Sequence, residues 1–319
     1  MNVYAKLLKN RFGEKFMNRK TLIGGLIALA IIIILIIACV WIGKKIWQSV
    51  TNQTETTETQ TPQGQRPPPP PPITNTEDAQ KTYLALGNPS SATGSTSNAD
   101  NYLMVNNAYA LSYNNSKGTA NWVAWRISEN DFGVAERQNN FRPDPNLPKT
   151  FTRITPTDYT GSGFDKGHLC PSADRSSSPE ANSQTFYMTN MIPQTPDLNR
   201  NVWNDFETYS RDLVKKGKID LYVIAGCYGE KGKLKKKITV PTNCWKVAVA
   251  VPQGADFSVI NENTHVIAVD MPNAPNLGKT DWRKFRTTVR AIEQRTNLNL
   301  LSNLPPNLQD TLETRLDNK

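Results

Sequence analysis

Hydrophobic and polar positions fall into three regimes along the chain. From Thr21 to Gly43 the sequence TLIGGLIALAIIIILIIACVWIG is uncharged and almost wholly apolar. At about 1.5 Å per helical residue, roughly 20 such residues cross a bilayer core, so this run predicts a transmembrane helix rather than a core helix. Residues 46–80 have no periodicity. Polar TNQTETTETQTPQGQ gives way to an unbroken block from Pro67 to Pro72, which predicts a tether stiffened into polyproline II. Regular patterns begin near Tyr83.

Tyr109–Tyr113 and Asn121–Ile127 alternate and are separated by Asn-Asn-Ser-Lys-Gly, the signature of a hairpin. Leu221–Cys227, Lys237–Val240, Cys244–Val251 and His265–Asp270 read as further strands, rich in Val and Ile. Helical period appears over Asn199–Lys216, with Val202, Phe206, Tyr209 and Leu213 on one side, and over Asp281–Arg295, with Trp282, Phe285, Val289 and Ile292. Strands with helices between and after them predict an α+β domain. The layout is a basic tail at 1–20, an anchor at 21–43, a linker at 44–81, a folded domain at 82–305 and a tail at 306–319.

Charge fixes the orientation of the anchor. Lys6, Lys9, Arg11, Lys15, Arg19 and Lys20 precede it, and after Lys44 and Lys45 no base occurs until Arg66. The positive-inside rule then puts the N-terminus in the cytoplasm and the folded domain outside the cell membrane. The run is too long for the hydrophobic part of a cleaved signal peptide, so an uncleaved anchor is expected. Ile36-Ile37-Ala38-Cys39 loosely resembles a lipoprotein cleavage box, but the apolar run continues past Cys39 to Ile42. In an exported domain Cys170, Cys227 and Cys244 can form at most one internal disulfide; Cys227–Cys244 and Cys170–Cys244 are both open at this level.

The whole chain of 319 residues has a formal net charge of +9, yet residues 81–319 hold 28 Lys and Arg against 23 Asp and Glu. That mild excess decides little about partners. Lys231, Lys233, Lys235, Lys236 and Lys237 crowd between two expected strands; a solvated hairpin tip is the simpler reading and a phosphate-binding loop the alternative.

Candidate chemistry is sparse. His265 lies in an apolar alternation and reads as a strand residue, whereas His168 sits in the turn-like stretch GFDKGHLCP, where an imidazole could take a proton near neutral pH. Asn199, Trp203 and Glu207 follow at i, i+4 and i+8, one side of a helix. An amide oxygen and a carboxylate so placed could share a hard cation such as Mg²⁺, which keeps several waters. The alternative is a helix cap at Asn199 and a surface Glu207.

Three stretches, ERQNNFRPDPNLP (136–148), FDKGHLCPSADR (164–175) and TFYMTNMIPQTPDLNRNVWNDFE (185–207), resemble the DNA/RNA non-specific endonucleases. The similarity runs in order from about Tyr83 to Leu304. It implies a ββα-metal nuclease fold with a central antiparallel sheet flanked by helices. It also implies Mg²⁺, with Mn²⁺ an alternative, and sequence-nonspecific action on DNA and RNA. The family signature Asp-Arg-Gly-His is matched by Asp165-Lys166-Gly167-His168. His168 is implied as general base, Asn199 as the metal ligand and Glu207 as the holder of a metal-bound water. Arg137 and Lys166 are implied to contact phosphate, with Arg142 near enough to exchange with Arg137. Lys166 departs from the family Arg and offers a point charge where Arg offers a planar fork. Asn190 reads as a structural hydrogen-bonding residue. A nucleic-acid-binding protein of the same fold that does not cut is the rival expectation; an adhesion domain on a proline stalk would leave the His168 and Asn199 spacing unexplained.

Overall fold

The computed structural model describes residues 73–318. The anchor expected at 21–43, its flanks and the proline block lie outside them, and among the described residues no helix is long and apolar enough to cross a membrane.

Seven strands form one sheet in the order β1 (Tyr102–Val105), β2 (Ala110–Asn114), β3 (Thr119–Ile127), β6 (Ile219–Tyr228), β9 (Asn243–Pro252), β10 (Val266–Pro272) and β11 (Arg286–Thr287). Every pairing in it is antiparallel. The hairpin expected from 109–127 is present as β2 and β3. Successive residues of a strand face opposite sides, so this sheet has two cores. On one side Ala248 joins Trp125, Val223 and Phe206, the last from helix α3 (Trp203–Gly217). On the other, Trp245, Val247 and Val249 join Ile292 from α4 (Val289–Thr296) and Leu312 from α5 (Pro306–Thr314). Burying each such side chain contributes roughly 1.5–3 kcal/mol.

The folded part extends beyond the range expected from pattern. Helix α1 (Thr76–Tyr83) starts inside the linker stretch: Asn75 caps it by accepting from the Asp78 amide, and Ala79 and Tyr83, one turn apart, are buried. Helix α5 occupies the expected tail because Leu312 is fully buried against α4. Residues 281–295 are not one helix. Asp281 caps a short 3₁₀ turn over Trp282–Phe285, Arg286–Thr287 then pair with β10, and Thr288 caps α4 afresh by accepting from the Ala291 amide. Two capping side chains within one helical period divide it.

Cys227 and Cys244 face each other across β6 and β9 and form a disulfide, leaving Cys170 free and buried. The lysine-rich segment is a hairpin of β7 (Lys233–Leu234) and β8 (Ile238–Thr239). A further two-stranded ladder, β4 (Asp165–His168) with β5 (Met191–Gln194), runs into a π-helical turn at Leu198–Val202 and then α3. This ββα unit carries Lys166, His168, Asn199 and Glu207.

Candidate active site

β4 has no apolar alternation of its own; its partner and its neighbours hold it. Lys166 and His168 project to one side of the ladder, Asp165 and Gly167 to the other. A Cβ on Gly167 would meet Gln194 Oε1 at 2.0 Å, so any larger residue between Lys166 and His168 must displace the buried Gln194 side chain. The Asn190 amide clamps the end of the strand. It accepts from the Cys170 amide at 3.0 Å and donates to the Cys170 and Thr185 carbonyls at 2.8 and 2.9 Å. The role expected for Asn190 is the one it has.

His168 is 8% exposed. Its ring packs edge-on against Phe186 at 4.9 Å and Phe141 at 5.6 Å, and Trp203 Nε1 donates to its carbonyl at 3.1 Å. Nε2 is buried with no hydrogen-bond partner. Burial, and then the positive charges of Arg137 and Lys246, push the imidazole down to about 3. The ring is therefore neutral across the physiological range and retains a lone pair to accept a proton.

Glu207 is not a surface residue. Its side chain on α3 is 11% exposed, and its Oε1 accepts from Lys246 Nζ at 2.7 Å. Lys246 is 1% exposed, on β9, with its ammonium 4.1 Å from the centre of the Trp203 ring. Burial raises the carboxyl against the pull of Lys246 and lowers the ammonium against the pull of Glu207. Each ion is held by the other, and the indole face also holds the ammonium. One turn further along α3, Arg211 bonds Asp174 at 3.1 Å.

Arg137 reaches the same cluster from a loop. Asn182 fixes that loop by accepting from the Gln138 amide at 3.0 Å while donating to the Ser172 carbonyl at 2.8 Å. The Arg137 guanidinium bonds Ser172 Oγ at 2.5 Å and Asn139 Oδ1 at 2.9 Å and lies 4.9 Å over Phe186. Burial lowers its proton affinity, opposed by Glu207. Arg142 is turned elsewhere. It bonds the Asn140 and Ser183 carbonyls, both at 3.0 Å, and stacks 4.3 Å over Tyr187, so its guanidinium ties the loop to α2 (Pro179–Gln184). Lys166 has its ammonium 4.9 Å over the Phe141 ring, the same ring that packs on His168.

Asn199 does not cap a helix. Its amide N–H donates to the Thr195 carbonyl at 2.9 Å within the π-helical turn. Its side-chain Nδ2 donates to Asp165 Oδ2 at 2.9 Å, and Arg200 grips the same carboxylate with two bonds of 2.8 and 2.7 Å. Burial would raise Asp165, but Arg200 and Asn199 outweigh it and hold the carboxyl below its usual range. With Nδ2 committed to Asp165, Oδ1 of Asn199 is left as a hard oxygen donor, oriented from behind as metal-ligating groups commonly are. Among the described residues no group of three or more His, Cys, Asp or Glu could hold a metal ion. A cation on Asn199 would therefore keep most of its waters, which fits Mg²⁺. His265 sits apart on the C-terminal side of the molecule, its Nε2 2.9 Å from Asp317.

Residues 86–307 match the DNA/RNA non-specific endonuclease family model. The chain belongs to that family. It is 52% identical over 248 residues to a nuclease of Nostoc sp., an overlap of 77% of this chain and 90% of that protein. With a nuclease of Serratia marcescens it shares 32% over 235 residues, 69% of this chain and 82% of that one. It is 34% identical over 205 residues to the mitochondrial nuclease EXOG of Xenopus laevis, covering 60% of this chain and 55% of that longer protein. The crystal structure of the EndoG/EndoGI complex superposes with a TM-score of 0.61 over 73% of this chain and 95% of that one; at 22% identity this shows the shared fold.

In this endonuclease two charged residues of the cluster escape the sequence reading. Arg211 continues the i, i+4 series of Asn199, Trp203 and Glu207 by one more step, and that series was the available signal. Lys246 is a lone charge inside CWKVAVAV; a lysine that interrupts an otherwise apolar strand marks a buried partner.

Proposed function

We propose that the chain is a membrane-tethered, outward-facing, Mg²⁺-dependent endonuclease that hydrolyses DNA and RNA, with His168 as its general base. The observation that carries this reading is the His168 imidazole. It is neutral, its Nε2 is unpartnered, and the positive charges of Arg137 and Lys246 act on it. His168 takes a proton from water, which attacks phosphorus in line; the bond from phosphorus to the 3′ oxygen breaks, that oxygen takes a proton from solvent water, and a 5′-phosphate and a 3′-hydroxyl are left. The approaching phosphate offsets the repulsion from Arg137 and Lys246 and raises the affinity of the ring for that proton. Arg137 and Lys166 bind the added negative charge. Mg²⁺ or Mn²⁺ held by Asn199 Oδ1 would supply positive charge against the negative charge that develops on the phosphate. Glu207, fixed by Lys246, accepts from water in that space. Contacts to phosphate rather than bases make cleavage sequence-nonspecific and salt-sensitive.

Outward placement rests on the apolar run at 21–43 with its basic N-terminal flank. The Cys227–Cys244 disulfide supports an oxidising compartment. The test is cleavage of plasmid DNA and of RNA by the full-length chain with Mg²⁺, Mn²⁺ or EDTA, alongside His168→Ala. Metal-dependent digestion should fall by about 10²–10⁴ in the variant. Undiminished cleavage by His168→Ala would remove the base assignment, and binding without cutting in every metal would leave the non-cutting member of the fold.

A further inference from the structure

The lysine hairpin is built into the wall of the site. Leu234, Ile238 and Val240 share a small core with Met191, which faces His168 across the β4–β5 ladder, and with Phe141 and Phe164. Lys231 at its base donates to the Asn273 carbonyl and lies 5.5 Å over Phe164, the residue before Asp165. Asn273 in turn donates to the Pro193 carbonyl of β5 at 2.9 Å. Lys235 bonds the Thr157 carbonyl at 2.6 Å, and Lys237 pairs with Asp158 at 3.2 Å. The hairpin is thus anchored along the loop that feeds β4.

Its turn is chemically expensive. Lys235 and Lys236 have φ of 44° and 60°, and the Lys237 amide donates to the Leu234 carbonyl at 2.8 Å. Two central residues at positive φ are the requirement of a type I′ turn, for which Asn-Gly is the favoured pair. Lysine carries a Cβ that makes that conformation unfavourable, so the turn keeps its charges at a cost in stability. Lys233, Lys235 and Lys236 are exposed, and the only acidic residue of the segment, Glu230, precedes it.

We propose that this turn, through Lys233, Lys235 and Lys236, is a second phosphate-binding subsite that holds the nucleic-acid backbone beside the bond cleaved at His168. The proposal rests on the nuclease reading and gives that site its grip on long substrates. Lys235→Asn with Lys236→Gly is the informative variant, because it relaxes the backbone while removing two charges. Three quantities are measured on the full-length chain with Mg²⁺: Tm, kcat and KM on duplex DNA, and the slope of log(kcat/KM) against log salt. The expected result is a higher Tm, an unchanged kcat and a KM about tenfold higher, with the salt slope shallower by about 1.8, at roughly 0.9 per phosphate contact. Lys235→Arg with Lys236→Arg should keep the wild-type KM. An unchanged KM and slope in the Asn-Gly variant would overturn the proposal. So would an equal effect from Lys81→Gln with Lys284→Gln, which removes two exposed charges elsewhere. Failure of the nuclease reading is distinguishable: there the wild-type chain itself does not cleave.

Discussion

The two faces of β9 make opposite use of one strand. Trp245, Val247, Val249 and Val251 enter a core of apolar side chains, closed by α4 and α5. One residue out of phase, Lys246 enters the other core, where Asp174 and Arg175 are also buried and Glu207 is partly buried. Desolvating an ion costs several kcal/mol, and a good partner returns about that much, so the second face gains little net stability from its charges. What it gains is a fixed field around His168. The apolar face supplies the rigidity against which that field is held. Adjacent residues of a single strand thus separate stability from chemistry.

Breaking the ion pair tests this division most severely. Lys246→Met leaves the Glu207 carboxylate buried without a counter-ion, and the expected loss is about 3–5 kcal/mol in urea unfolding. Cleavage by the folded fraction should fall as well, since Glu207 then takes up a proton. Adding Glu207→Gln removes the stranded charge. The double variant should recover most of the stability and none of the activity. A double variant as unstable as the single one would show that packing, not charge, fixes Lys246; an active single variant would remove the pair from the chemistry.

The opposite face should behave in the opposite way. Ile292 on α4 is fully buried against it. Ile292→Ala should cost about 3 kcal/mol by the loss of transfer energy and the cavity left behind. Measured well below its melting temperature, the variant should retain kcat/KM within about twofold, because α4 touches no charge of the site. A change in kcat/KM as large as that of Lys246→Met would end the distinction between the faces.

What could be read from sequence follows the same line. Strands that line the apolar core, such as β6, β9 and β10, carry long Val- and Ile-rich runs and were legible. β4 and β5 were not, because DKGH and MIPQ owe their extended form to each other and to the Asn190 clamp rather than to their own periodicity. The break within 281–295 depends on the caps at Asp281 and Thr288, which a hydrophobic period does not register. In the site, His168, Asn199 and Glu207 stood out by motif and spacing. That Arg142 spends its guanidinium on Ser183 while Arg137 faces the charged cluster is a matter of loop path that no spacing encodes. Lys246 lay hidden because strand alternation predicts which residues are buried, not which of them remain charged.

An ionisable group at the rim of the apolar face gives the smallest expected effect. Glu313 on α5 is 2% exposed; Arg290 bonds it at 2.8 Å. Burial, and then the neighbouring Glu293, raise its carboxyl to about 7. In the unfolded chain the same group titrates near about 4.3, so the folded state binds the proton more tightly. Its contribution to stability is therefore complete at low pH, below the unfolded value, and is lost as pH rises through about 7. Glu313→Gln mimics the protonated form at every pH. Wild type and variant should unfold at similar urea concentrations near pH 4, and the variant should be the more stable by roughly 2 kcal/mol at pH 8, at 1.36 kcal/mol per pKa unit with allowance for the lost Arg290 pairing. Parallel stability curves across that range would mean that Arg290 fully compensates the buried charge, and that the rim of the apolar face tolerates an ion as readily as the cluster around Lys246 does.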